Sequence, residues 1–425
     1  MLCTAKNKFL FWVCLFTVSF AFADESLLKD ESYIGGSKKA EEESFLQDAQ
    51  RVGKVQKSLV EPNQGKIGRV FHRKNNGAVL GIFQVYDNIP EELKSGIFEK
   101  PNAWLSLVRF SGGSGTTQSD IWPDVMGIAV KLLDIDPSKK ERNKEIKTMD
   151  WLMTNSPTAF SHDQREFIEF METKNEPGLL GNRLVRYFVV HPKAFFRVLC
   201  SVVGPHAHNL LETYMSGHPY LLTPNRAMKF GLKLETTPID QAEGMTVVSA
   251  EEVEDEYAVG WNPFRYLTRL VKAIGHPNYL RDDFYSVVEK GTVTLSFFVQ
   301  VQDLEHPENT PLEDALANWD AEPVTLGRLI IPQQSKDEQL MAFADALGFN
   351  PANYFAHHRP VGRLGRGRVF TYRQSQRGRN AATMRTFSNI DEQVILRQIV
   401  DKFENLGNPE DLEQTAQMWI QALPQ

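Results

Sequence analysis

From Met228 to Glu235 the chain alternates without a break, with Met228, Phe230, Leu232 and Leu234 apolar and Lys229, Gly231, Lys233 and Glu235 between them. Val293, Leu295, Phe297, Val299 and Val301 repeat the rhythm with mostly polar partners. A period of two sends every second side chain to one face of a strand, so both stretches read as half-buried antiparallel strands. With residues 324–331 they predict an α+β protein built on an antiparallel β-barrel. Residues 66–133 also read as strands, most clearly at 103–109. Gly112-Gly113-Ser114-Gly115 interrupts them as a loop; lacking a G-K-[ST] ending and a following helix, it is no phosphate cradle. Helical spacing marks residues 163–172, 195–203, 337–347, 391–406 and 409–423, the last opening with Asn408-Pro409-Glu410-Asp411. Between them, a long segment with Pro351 and Pro360 has the length to wrap a barrel.

The ends divide differently. Lys6 and Lys8 precede a mostly apolar run from Phe9 that closes with Ala21-Phe22-Ala23, the pattern of a signal peptide over residues 1–23 that is too short to span a membrane comfortably. Export to a bacterial periplasm or the medium is expected. Cleavage there removes Cys3 and Cys14 and leaves Cys200 alone, which excludes an internal disulfide and a two-cysteine metal site. Residues 24–64, with Glu41, Glu42 and Glu43, read as an extended or partly helical arm of the solvated kind. The formal net charge of -7 argues against nucleic acid, which a basic surface would track.

Chemistry enters at Gly365-Arg366-Gly367-Arg368-Val369-Phe370-Thr371-Tyr372. On a helix, Arg368 and Tyr372 share a face, so a guanidinium lies beside a phenol, favours its anionic form and prepares it to ligate ferric iron. Alone, such a pair is ordinary on a helix surface. Three upstream segments accompany it: Gly68-Arg69-Val70-Phe71-His72-Arg73-Lys74; Val108-Arg109-Phe110-Ser111 leading to Asp124 and Gly127-Ile128-Ala129-Val130-Lys131; and Asn155-Ser156-Pro157-Thr158-Ala159-Phe160 with Phe167 beyond.

In this order and at these separations the four segments resemble the haem catalase superfamily, over residues 65 to 380. The resemblance implies a barrel across residues 65–335, a wrapping segment at 336–390 and C-terminal helices at 391–425. It implies haem b held by Tyr372, with Arg368 one turn before it and Arg69, Arg109 and Arg379 on the propionates. His72, Ser111 and Asn155 take the positions of the catalytic residues above the haem, Phe160 and Phe167 those of distal aromatics, and Asp124 that of a channel carboxylate. A neutral histidine there can carry a proton between the two oxygens of a peroxide, and an amide can orient it.

The sequence also departs from the family. Met126 stands where an arginine is usual, Gln374-Ser375 follows the tyrosine in place of Asp-Thr, Phe71 replaces a smaller aliphatic residue, and His358-Arg359-Pro360-Val361-Gly362 is unlike typical catalases. These changes point to a divergent, catalase-related branch. Two function classes stay open: an enzyme acting on hydrogen peroxide, with or without a small organic donor, or on an organic hydroperoxide; and a haem-binding protein without turnover. Oligomeric state is open too, since catalases are usually tetramers and smaller relatives are monomers or dimers. Each segment also has a plainer reading, as turn, surface ion pair or core. His206 and His208 read as structural, and His357-His358 as a haem-edge or surface pair.

Overall fold

The computed structural model describes residues 27–59, 67–122, 124–133, 135–139, 148–174, 182–202, 206–235, 246–258, 267–268, 270–271 and 274–379. The expected signal peptide and the helices at 391–406 and 409–423 lie outside the described residues. Nine strands follow in order: β1 (Asn75–Val85), β2 (Asn102–Gly112), β3 (Met126–Leu132), β4 (Met149–Thr154), β5 (Tyr214–Met215), β6 (Tyr220–Thr223), β7 (Arg226–Leu234), β8 (Val293–Val301) and β9 (Pro323–Ile331). Neighbours pair antiparallel from β1 through β5, β5 pairs with β7, β7 with β8, β8 with β9, and β9 with β1. The sheet closes as an eight-stranded barrel, with β6 as a hairpin arm on β7.

The alternating residues fill the barrel. Trp151 packs on Phe230 with ring centroids 4.3 Å apart, and Phe83 meets Phe297 edge-on at 5.0 Å. The expected wet face survives on β7 only at its end, where Lys233 is exposed; Lys229 is as buried as its apolar neighbours. The segment beyond β8 covers that lysine: Lys229 Nζ donates to the Ala317 carbonyl at 3.0 Å and stands over the Trp319 ring. Burial pushes the Lys229 amine down to about 7.

Between β9 and the tyrosine, polar side chains lash the wrapping segment to the barrel. Gln334 exchanges two hydrogen bonds of 2.9 Å with the backbone of Leu80. Asp150, paired with its cross-strand neighbour Lys131, accepts from the Asn350 amide at 2.8 Å and from Asn353 Nδ2 at 2.9 Å. Further on, His358 is a core residue, neither haem-edge nor surface as the sequence reading had it. Its Nε2 accepts from the Ile97 amide, its Nδ1 donates to the Leu221 carbonyl, and burial pushes it down to about 4, so it is the neutral ring.

Helices surround this frame: α1 (Lys38–Ser58), α2 (Gln164–Lys174), α3 (Asn182–Val190), α4 (Pro192–Val202), α5 (Ala250–Tyr257), α6 (Tyr279–Val288), α7 (Glu338–Ala346) and α8 (Gly362–Arg379). The helix carrying Tyr372 is α8, and it packs along α1. Here the expectation of a solvated acidic arm fails. Glu31 and Glu41 are buried; Glu31 accepts from Arg359, from Arg366 and from the amide of Gly362, whose φ of 75° suits glycine at the start of α8. Glu41 holds the other edge of the Arg366 guanidinium. Removing one partner of such a buried pair costs about 3–5 kcal/mol. The arm therefore fixes the start of the tyrosine helix. Among the described residues no helix is long and apolar enough to cross a membrane.

Candidate functional site

His72 stands just before β1 with φ at 53°, a left-handed backbone that costs a non-glycine residue about 1–2 kcal/mol. Two interactions hold it there. The His72 amide donates to the Gly113 carbonyl at 3.1 Å, and Arg109 reaches from β2 to donate to the carbonyls of His72 and Arg73 at 3.0 and 3.1 Å. The imidazole Nδ1 then lies 3.1 Å from Ser111 Oγ. Register explains the neighbour below: Ser111 on β2 is paired with Gly127 on β3. A Cβ on Gly127 would come within 2.4 Å of His72 Cε1, so the ring rests against bare backbone.

On α8, Arg368 Nη2 donates to Tyr372 Oη at 2.8 Å. Burial opposes the Arg368 charge, but the oxygens of Tyr372 and Tyr220 outweigh it and hold the guanidinium above its usual value. His218 flanks this pair; burial, reinforced by the Arg368 charge, keeps it well below the usual histidine range. It stacks on Tyr220 with centroids 4.6 Å apart.

One pocket joins the two halves; its enclosed cavity is about 60 Å³ and the rest of its space is open to solvent. Its barrel side comprises His72, Ser111, Gly127, Ile128, Leu152 and Met153, and α8 contributes Arg368, Tyr372, Ser375, Gln376 and Arg379. Phe71 and Phe349 supply apolar walls, and the Phe71 ring lies 6.2 Å from that of Tyr372.

Arg69, Arg109 and Arg379 meet at the pocket's rim. Arg69 and Arg379 donate to carbonyls at the end of α7: Nη2 of each is 2.6 Å from Leu347 O. Arg109 Nε donates to Asp345 at 3.0 Å. Burial lowers all three from the usual arginine range; mutual repulsion adds to it for Arg69, and the Arg109 charge helps press Arg379 down to about 10. Three guanidiniums facing the single carboxylate of Asp345 leave a pole short of negative charge. It suits a ligand that brings its own carboxylates.

The lining has the chemistry that a flat apolar macrocycle with acidic substituents would call on: aromatic and aliphatic walls, a phenol oxygen paired with a cation, and an arginine pole. Not every expected residue converges on it. Asn155 does not line the pocket; its Oδ1 accepts from the Met126 amide at 2.9 Å and its Nδ2 donates to Glu212 at 3.0 Å. Asp124 also stands apart, its carboxylate receiving the amides of Ser114 and Val125. Phe160 is half-buried away from the pocket's lining, while Phe167 packs on Phe71 with centroids 5.3 Å apart. His206 is structural, bridging Glu212 at 2.7 Å and the Asp124 carbonyl at 2.6 Å.

The sequence matches no family model and no curated protein. The fold does find counterparts. A fungal catalase aligns with a TM-score of 0.58 at 18% identity, over 78% of this chain and 62% of that one. A bacterial catalase gives 0.57 at 19% identity over 75% and 59%, and catalase A from Saccharomyces cerevisiae 0.56 at 18% over 74% and 62%. The chain has the catalase fold. It spans about 60% of the length of those three catalases.

Within this catalase fold, three contributors escaped the sequence reading. Asp345 lies in the last turn of α7 with no local signal, and His218 sits in a Ser-Gly-His-Pro turn like many others. Gly127 was noticed only as part of a segment; its role depends on which residue it faces across the ladder.

Proposed function

We propose that this chain is a haem-dependent enzyme that processes peroxide, decomposing hydrogen peroxide or reducing it with a small organic donor. The observation that carries the reading is the convergence, in one pocket, of the Tyr372–Arg368 pair, the His72–Ser111 pair and three arginines sharing one carboxylate. Tyr372 would be the axial ligand of haem b, and Arg69, Arg109 and Arg379 would hold its propionates. The haem would supply the iron redox chemistry that cleaves the oxygen–oxygen bond.

The protein's own part is proton handling and orientation. Ser111 can donate its hydroxyl proton to Gly127 O, 3.4 Å away, and accept from His72 Nδ1–H. That choice makes Nε2 the basic nitrogen, which takes a proton from one peroxide oxygen and returns it to the other. The left-handed backbone at His72 is strain held where this ring must not drift. Arg368 orients the Tyr372 oxygen and balances the charge it carries as a ligand. Asn155 acts in this arrangement by fixing the backbone of Met126 rather than by touching peroxide. Export is part of the proposal through the N-terminal pattern alone.

The test is a haem titration of the purified mature protein followed by peroxide, with oxygen release and the visible spectrum recorded together. A high-spin ferric spectrum with oxygen release supports a catalase, and decay dependent on an organic donor supports a peroxidase. Failure to take up haem overturns the proposal.

A further inference from the structure

Besides meeting the arginine pole, Asp345 lines a second cleft, open and of about 550 Å³, within the size range that small ligands occupy. Residues 117–119, α6 and α7 contribute its walls. A single layer of side chains divides it from the pocket. His72 lines the pocket, while Arg73, next in the chain, lines the cleft. One oxygen of Asp345 accepts from Arg109 of the pocket at 3.0 Å and from Asn75 of the cleft at 3.1 Å.

Most charges around the cleft already serve as framework. Lys74 is buried, donates to the carbonyls of Gln118 and Pro277 at 2.8 and 2.7 Å, and pairs with Asp120. The other oxygen of Asp120 receives the Leu280 amide in the first turn of α6 at 3.0 Å, so one ion pair staples both walls. Glu338 pairs with Lys336 at 2.7 Å. Arg281 is different. It is half-buried on α6, and its Nε is buried with no acceptor among the described residues. A guanidinium edge left unmet in this way suits a carboxylate, which can take two of its N–H groups at once. Pro277, Met341 and Ala342 add an apolar side, and Ser119 and Asn278 add hydrogen-bonding groups.

We infer that this cleft binds a small phenolic carboxylic acid through Arg281, and that this acid is the organic electron donor. Seated there, the donor lies one layer of side chains from the arginines of the pocket and need not enter it. Each donor loses one electron and one proton, so two donors become two phenoxyl radicals as one hydrogen peroxide becomes two waters. The donor's role rests on the haem-dependent reading proposed above; binding of the acid does not.

Calorimetric titration of the full-length protein with 4-hydroxybenzoate, with and without haem, tests the site. One equivalent should bind in both states, with 4-hydroxybenzamide, which lacks the carboxylate, at least tenfold weaker. Arg281→Gln should weaken the acid at least tenfold, and Glu338→Gln on the exposed end of α7 should tighten it by removing a like charge. In the haem-loaded protein with peroxide, Arg281→Gln should raise the KM for 4-hydroxybenzoate by the same factor as the Kd. No binding, or equal binding of acid and amide, overturns the inference without recourse to a variant. A KM that stays put while the Kd rises overturns the donor role. Arg281-dependent binding in a protein that takes up no haem keeps the anion site and overturns the donor role together with the haem reading.

Discussion

Replacing Gly127 with alanine tests whether the barrel register places His72. The added methyl carbon would sit 2.4 Å from His72 Cε1 and 2.5 Å from Nδ1, where ordinary contact begins at 3.4 Å. The imidazole must retreat by about 1 Å, and doing so pulls Nδ1 away from Ser111, now at 3.1 Å. A displacement of that size at a catalytic group costs about 10²-fold in rate. Overpacking adds about 1–3 kcal/mol of lost stability. The assay is stopped-flow reaction of the haem-loaded variant with hydrogen peroxide, beside a haem titration and a thermal melt. Haem affinity should stay near wild type, because neither Tyr372 nor the arginine pole is touched. Gly275→Ala, where a Cβ meets nothing within 4 Å, serves as the control. A Gly127→Ala protein that folds, binds haem and reacts with peroxide at the wild-type rate would refute the claim that the glycine positions a proton-transferring histidine.

Tyr372→Phe should weaken haem binding or remove the five-coordinate ferric spectrum, and an unchanged spectrum would rule Tyr372 out as ligand. His72→Ala should keep haem bound while the peroxide reaction slows by orders of magnitude, consistent with loss of an acid–base group. Glu31→Gln should cost about 3–5 kcal/mol in denaturant unfolding at neutral pH, since Arg359 and Arg366 lose a buried partner. Burial works against the Glu31 charge, but the arginines outweigh it and lower its folded pKa, so its stabilisation is present above pH 4.5 and lost as pH falls through the folded value; the variant should flatten that acid limb. Lys229 has the opposite sign. Its folded value is pushed down to about 7 from 10.5, so the unfolded chain binds the extra proton and stability rises with pH across that window. Lys229→Met should abolish that rise in melts at pH 7 to 10.5, and an undiminished slope would assign it to other groups.

The sequence by itself determined what local chemistry can encode. Alternation at Met228–Leu234 and Val293–Val301 required strands, because a period of two has no other use. The four-residue spacing of Arg368 and Tyr372 required their contact once a helix formed there, and the 2.8 Å bond follows. The burial of Lys229 on the polar face of β7 was not legible, because its cover comes from Ala317 and Trp319, far along the chain. Nor was the fate of the acidic arm: Glu31 and Glu41 look solvated until Arg359 and Arg366 arrive more than 300 residues later. The site divides the same way. His72, Ser111 and the arginines were visible as residue types in order, but only the ladder pairing Ser111 with Gly127 set the imidazole in place. Only the fold turned Asn155 toward Glu212 and brought Asp345 to Arg109. Local patterns fix the periodicity of elements and the neighbours within a helix turn; long-range pairing fixes which polar groups find partners, and that decides which remain for chemistry.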